Sequence, residues 1–225
     1  METNNIYLKD YRDIIKDLDK DKTLIITDPP YNVGWSYNTY KDKVSDDDYT
    51  NMFKFFKGFR FVVIHYIEDI IKYIVPNLGV PTKVVQWVYN SNMRKQYRSI
   101  AFFNCTPDFS RAYQAYKNPN DKRIKQLIAN GSKGCKLYDW WNIDIVKNVS
   151  KEKEDYYNQI PEKVIENIIK IVANDGDLIY DPFIGSGTTA AVSSKLGYDY
   201  LGTDICSKAI DVATNRLNKL SNTLL

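Results

Sequence analysis

Four consecutive residues, Asp28, Pro29, Pro30 and Tyr31, combine a carboxylate, two proline carbonyls and a flat phenol ring. Proline fixes the backbone and removes its own N–H, so this stretch presents acceptors to whatever faces it. The set suits an amino group and the ring that bears it. About 150 residues on stands a second set: Asp181, Phe183, Gly185, Ser186 and Gly187, followed by Thr188 and Thr189. Glycines at 185 and 187 let backbone approach a ligand closely, and a helix opening at Thr188 favours a carboxylate or phosphate at its N-terminus. Asp204 follows seventeen residues after Gly187, at the end of the next strand, where Rossmann-like folds set an acid against ribose hydroxyls. Strand, glycine loop, helix, strand and acid in this order predict a nucleoside-containing cofactor.

Residues so placed need strands that end where the loops begin. Thr23 to Thr27 is a short β-branched run stopped by the two prolines, so it reads as a buried strand ending at Asp28. Asp46 to Asp48 should cap a helix bearing Tyr49, Met52, Phe53 and Phe56. Strands are expected at 60–65 and 83–89, with a helix at 67–75 between them. Pro161 opens a helix to about 173, with Val164, Ile165, Ile168 and Val172 on one face. Strand 177–180, helix 188–196, strand 198–202 and helix 207–220 complete the series. This alternation predicts an α/β fold, a mostly parallel sheet with helices on both faces. Only 38 residues follow Gly187, too few to build a sheet, so its other strands must come from earlier in the chain and the order is circularly permuted.

At 225 residues the chain suits one domain, 1–225, with a small elaboration at about 90–140 whose least patterned part is 117–137. With 44% hydrophobic and 26% charged residues, disorder and fibrous repeats are excluded. Three scattered cysteines and one histidine, His65, assemble neither a zinc site nor a disulfide framework, which points to a reducing, cytoplasmic compartment. No stretch is apolar enough to span a membrane, and the METNN start is polar where a signal peptide would be basic and then apolar. The net charge of +3 conceals an asymmetry: residues 83–153 carry fourteen Lys/Arg against five Asp/Glu. Eleven aromatics are interleaved with them. This is the pattern of a nucleic-acid face, with Arg94, Lys95, Arg98, Arg111, Lys122 and Arg123 as candidate contacts; it is also the pattern of a solvated lysine-rich surface over an aromatic core.

DPPY at 28–31 and DPFIGSGTT at 181–189, in that order, resemble the amino-type DNA methyltransferases of the permuted β class. IYLKD at 6–10 resembles the family's N-terminal strand, and Gln159 and Pro161 match its QxP, whereas Tyr11 replaces a usual Cys and Tyr156–Tyr157 an HP pair. The resemblance implies a Rossmann-like fold and S-adenosylmethionine as cofactor, held by Asp10, Asp28, Asp181, Phe183, Gly185, Ser186, Gly187, Thr188 and Asp204. It implies double-stranded DNA as partner, and Asp28 before Pro-Pro-Tyr favours adenine-N6 over cytosine-N4; the small recognition region leaves room for a homodimer or specificity partner. An exocyclic amine is a poor nucleophile because its lone pair is delocalised into the ring. Asp28 and the Pro29 carbonyl would accept its protons and localise that pair, and Tyr31 would stack on the flipped base. His65 is expected to be strand packing rather than a general base. An RNA or protein-glutamine methyltransferase fits position 28 less well, and a noncatalytic nucleic-acid-binding module leaves both motifs unexplained.

Overall fold

In the computed structural model, the described residues are 2–37, 40–92 and 94–223, so Met1 of the METNN start lies outside them. Among the described residues ten strands form: β1 (Asn5–Leu8), β2 (Thr23–Thr27), β3 (Arg60–His65), β4 (Lys83–Val88), β5 (Tyr97–Phe103), β6 (Tyr113–Gln114), β7 (Cys135–Lys136), β8 (Trp140–Asn142), β9 (Leu178–Asp181) and β10 (Asp199–Asp204). Eight of them make one sheet in the order β1-β10-β9-β2-β3-β5-β4-β8. Within it β5 alone runs against its neighbours, pairing antiparallel with both β3 and β4. β6 and β7 form a small separate ribbon.

Period-two side-chain alternation builds a core on each face. Leu24, Ile26, Val62, Ile64, Ile100 and Phe102 point to one side and meet Val164, Ile165, Ile168 and Ile169 of a helix spanning Glu162–Val172. Ile25, Phe61, Val63, Ala101 and Phe103 point to the other and meet Tyr49, Phe53, Phe56 and Ile70. Helices therefore cover both faces, as the strand–helix alternation predicts. The permuted order is visible in the sheet: β9, late in the chain, sits between β10 and the early β2. The C-terminal ends of β2, β9 and β10 thus lie side by side where the strand order reverses, the position at which open α/β sheets bind ligands.

Several elements differ from expectation. Ser45, not Asp46, caps the helix Asp46–Met52: its Oγ accepts from the Asp48 N–H at 3.1 Å while the three aspartates occupy the first turn. The helix expected at 67–75 runs on to Leu78 and widens into a π turn over Ile70–Ile74 just before Pro76, which has no N–H to give the ladder. β5 and β8 fall in a segment assigned no strand, and 117–137 contains a helix, Lys122–Ala129, capped by the Asp121 carboxylate. Among the described residues no helix is long and apolar enough to cross a membrane.

Candidate active site

Asp28 emerges from β2 with 18% of its side chain exposed. Its Oδ1 accepts the Tyr31 hydroxyl at 2.6 Å, and its Oδ2 lies 3.3 Å from Nη1 of Arg98. Burial pushes this carboxyl up from its ordinary value, against the Arg98 charge and the Tyr31 hydrogen bond, which pull it down. The Tyr31 ring does not stand open on both faces. One face is stacked on His65 with centroids 4.1 Å apart, Tyr66 meets its edge at 5.3 Å, and the Arg98 guanidinium lies 5.3 Å from its centroid.

His65, wholly buried, forms a relay to the motif's backbone. Its Nδ1 accepts the Tyr66 N–H at 2.8 Å, so Nε2 carries the proton and donates to the Tyr49 hydroxyl at 2.9 Å. That hydroxyl donates onward to the Pro30 carbonyl at 2.5 Å. Burial, together with the charges of Arg98 and Lys95, pushes His65 down to about 3, so it stays neutral. It is packing, as expected, and it also fixes the motif. The Pro30 carbonyl is thus engaged, while no donor among the described residues reaches the Pro29 carbonyl. Beyond Tyr31 the chain turns at Asn32, which holds φ +57° and accepts the Val44 N–H on its side chain at 2.8 Å. Asparagine tolerates this left-handed conformation better than most residues, a signal the DPPY motif overshadowed.

The glycine loop joins β9 to a helix at Thr188–Lys195. Gly187 has φ +75°, and a Cβ there would lie 2.8 Å from Cβ of Ala213 on the helix Ser207–Thr223, so only glycine fits. Gly185 at φ +48° donates its N–H to Oδ2 of Asp204 at 3.1 Å, and the Cys206 N–H reaches Oδ1 at 2.9 Å. Arg216, 4% exposed, ties the loop down from below: it donates to the Ser186 carbonyl, to the Thr188 hydroxyl and to Glu162. No sequence signal marked this arginine. Asp181 accepts from the Thr27 and Thr189 hydroxyls at 2.7 Å each and from the Phe183 N–H at 3.1 Å. Both its oxygens are therefore engaged in joining β2, the loop and the helix; burial pushes it up to about 6.

Two connected hollows share Pro30, Tyr40, Phe183 and Asp204. The smaller, about 70 Å³, is walled by Asp28, Tyr37, Tyr156, Asp181, Gly185 and Asp204. The larger, about 540 Å³, is walled by Asp10, Tyr11, Arg12, Phe55, Phe183 and Ile205, a size suited to a nucleoside-like ligand. Asp10 stands on its rim with its carboxylate bound by Arg12, 2.8 Å from Nε and 2.6 Å from Nη2, which holds it below the usual carboxylate range. Gln159 lines the smaller hollow while its amide is engaged within its own segment, donating to the Glu152 carbonyl and accepting from the Glu154 N–H.

The basic candidates divide. Arg98, expected on a surface, has only 12% of its side chain exposed and faces Asp28, so it belongs to the site. The reason is its seat on β5, where it pairs with Trp87 of β4 and lies 5.6 Å from that ring. Arg111 bonds the Ala173 carbonyl and so ties the elaboration to the Glu162–Val172 helix. Lys95 lies over the Tyr66 ring and 3.5 Å from Glu68. Arg94, Lys122 and Arg123 are exposed.

A catalytic-type carboxylate and a glycine-loop cavity on one sheet edge, in permuted order, match a known family: the N6/N4 methyltransferase model, described as DNA methylase, covers residues 23–215. This chain is a DNA methyltransferase of the N6/N4 family. The methylase is 28% identical over 221 residues to the type II methyltransferase M.HpaI of Haemophilus parainfluenzae, an alignment covering 88% of this chain and 69% of that one. Its fold is that of the M1.HpyAVI–SAM complex, with TM-score 0.60 and 23% identity over 95% of this chain and 98% of the other. The PvuII DNA methyltransferase, a cytosine-N4-specific enzyme, superposes with TM-score 0.66 at 13% identity, covering 96% of this chain and 86% of that one. Both likenesses identify the methylase fold as the Rossmann-like one expected from the motifs.

Proposed function

We propose that the methylase transfers a methyl group from S-adenosylmethionine to the exocyclic N6 of adenine in double-stranded DNA. The observation that carries this is that the Asp28 carboxylate and Pro30 of the same motif wall one hollow together with Asp181, Asp204 and the glycine loop. The donor set fits that cofactor. Asp28, Asp181 and Asp204 all wall one small hollow, which favours a cationic ligand, and Asp204, with an N–H on each oxygen, keeps lone pairs for ribose hydroxyls. Asp10 and Phe183 on the larger hollow suit the adenine end. When bound, the cofactor supplies an electrophilic sulfonium methyl.

Asp28 and the Pro29 carbonyl accept the two protons of the target amine, which draws its lone pair out of the ring and aims it at the hollow. The His65–Tyr49–Pro30 relay holds the peptide between them and the ring beyond, so that these acceptors are preorganised. The base must leave the duplex at a cost of a few kcal/mol, recovered in part against aromatic surface at the site. Because His65 covers one face of Tyr31 and the Arg98 guanidinium also lies over the ring, stacking uses a neighbouring ring. Cytosine-N4 is the second possibility, favoured by the fold shared with the PvuII enzyme. Adenine is preferred because the family resemblance associates Asp before Pro-Pro-Tyr with it. Incubation with methyl-labelled cofactor and unmodified DNA, followed by nucleoside analysis, tests both: N6-methyladenine supports the proposal, N4-methylcytosine replaces the base, and no incorporation overturns it.

A further inference from the structure

Arg98 and Asp28 form a charge pair withdrawn from water, with 12% and 18% of their side chains exposed. Taking such a pair out of water is costly, and the attraction at 3.3 Å does not by itself make it stabilising. The arginine is not fully satisfied: its Nε is buried without a hydrogen-bond partner among the described residues. Its guanidinium is held over Tyr31 at 5.3 Å and beside Trp87 at 5.6 Å, so two rings fix its place. An arrangement so poorly justified by stability, at the motif that faces the target, has its use in the reaction.

We infer that Arg98 is a positioning residue of the methyl-transfer site, whose guanidinium keeps the Asp28 carboxylate ionised and aimed for the target amine. The inference rests on the methyl-transfer reading above. A carboxylate accepts amine protons only when ionised; protonated, it would be a donor facing another donor. Burial works against ionisation, Asp181 on β9 and Asp204 on β10 add two more carboxyls to the same hollow, and Asp42 stands close by on the Tyr31 N–H. The other titratable groups around Asp28 bring no positive charge. Tyr31, Tyr37, Tyr49, Tyr66 and Tyr89 are phenols, and His65 is neutral. Arg98 is thus the cation that offsets burial, and it grips Oδ2 while Tyr31 grips Oδ1, which fixes the carboxylate plane. Each oxygen accepts more than one hydrogen bond, so both grips leave room for the amine.

The test compares wild type, Arg98→Met and Arg98→Lys in two measurements. The first is the pH profile of kcat/KM for methyl transfer. The second is the carboxyl NMR titration of Asp28 in protein labelled with [13C]aspartate, the resonance assigned with Asp28→Asn. In Arg98→Met the acid limb and the Asp28 titration should both move up by at least one pH unit, a tenfold or greater loss on the acid side. Arg98→Lys, which keeps the charge but not the fork, should fall between. Observing Asp28 directly separates its shift from any rise in His65, which loses a neighbouring cation in the same variant. The NMR arm also stands apart from activity: if wild type transfers no methyl group while the titration moves, the function fails and the electrostatic role survives. Should Arg98→Met not fold, Arg98→Lys alone decides by the direction of its shift. An Asp28 titration and acid limb unchanged in the folded variants would overturn the inference, and a shallower salt dependence of DNA binding in their place would make Arg98 a phosphate contact.

Discussion

Replacing Tyr49 by Phe removes one oxygen atom and tests the relay that fixes the motif. The Tyr49 hydroxyl accepts from Nε2 of His65 at 2.9 Å and donates to the Pro30 carbonyl at 2.5 Å. Tyr49 is 3% exposed and His65 0%, so no water replaces the lost acceptor at the histidine. An orphaned buried donor costs about 1–3 kcal/mol, and the half-buried Pro30 carbonyl loses a bond worth about 1 kcal/mol. The expected loss is therefore about 2–4 kcal/mol, or roughly 4–16 °C in Tm for a domain of this size. Urea unfolding followed by tryptophan fluorescence gives the stability. A double-mutant cycle with His65→Leu isolates the pair, because with both polar groups gone most of the penalty should vanish. The motif should also loosen, lowering kcat for methyl transfer more than it raises KM. A loss below about 0.5 kcal/mol, with additive single mutants, would show that the relay is an incidental contact.

His65 has a second consequence, in pH. Its folded value near 3 lies below the unfolded 6.5, so the neutral form's contribution is complete above pH 6.5 and is lost as pH falls towards 3. The difference in stability between wild type and His65→Gln should slope by up to about 1.4 kcal/mol per pH unit in that window; parallel curves would place the histidine's charge elsewhere. Asp204→Ala should weaken cofactor binding by about 1–3 kcal/mol in calorimetry, and unchanged affinity would move the ribose role to another residue. Neutralising Arg94, Lys122 and Arg123, which are exposed, should weaken DNA binding and flatten log K against log salt by about 0.9 for each true phosphate contact. An unchanged slope would mark these three as solvated surface.

The parts of the site that could be read in the sequence are those written in contiguous residues. DPPY and the glycine loop lie at strand ends, and the strands themselves are uninterrupted β-branched or aromatic runs such as TLIIT and RFVVIH. What escaped are contacts between residues far apart in the chain. Arg98 reads as a surface cation because arginine is mostly exposed, and nothing local announces a carboxylate 70 residues earlier. Its polar neighbours Tyr97 and Ser99 also disguised β5, whose inward residues are otherwise apolar. Arg216, which braces the glycine loop from 28 to 30 residues downstream, looked like the polar face of a terminal helix. The helix Lys122–Ala129 is hidden for a different reason: Ile124, Leu127 and Ile128 do fall at helical spacing, but over only eight residues, and none of them is buried in the core.

The central claim, that the Asp28 carboxylate draws the target amine's lone pair towards the cofactor, is tested most directly by single-turnover methyl transfer with Asp28→Ala. Cofactor affinity of the same preparation, measured by calorimetry, shows that the site is still folded around the hollow. The rate should fall by at least about 10² to 10³, the scale for losing one preorganised polar group at a reacting centre, with cofactor affinity within about tenfold of wild type. Near-normal turnover in the variant would contradict it.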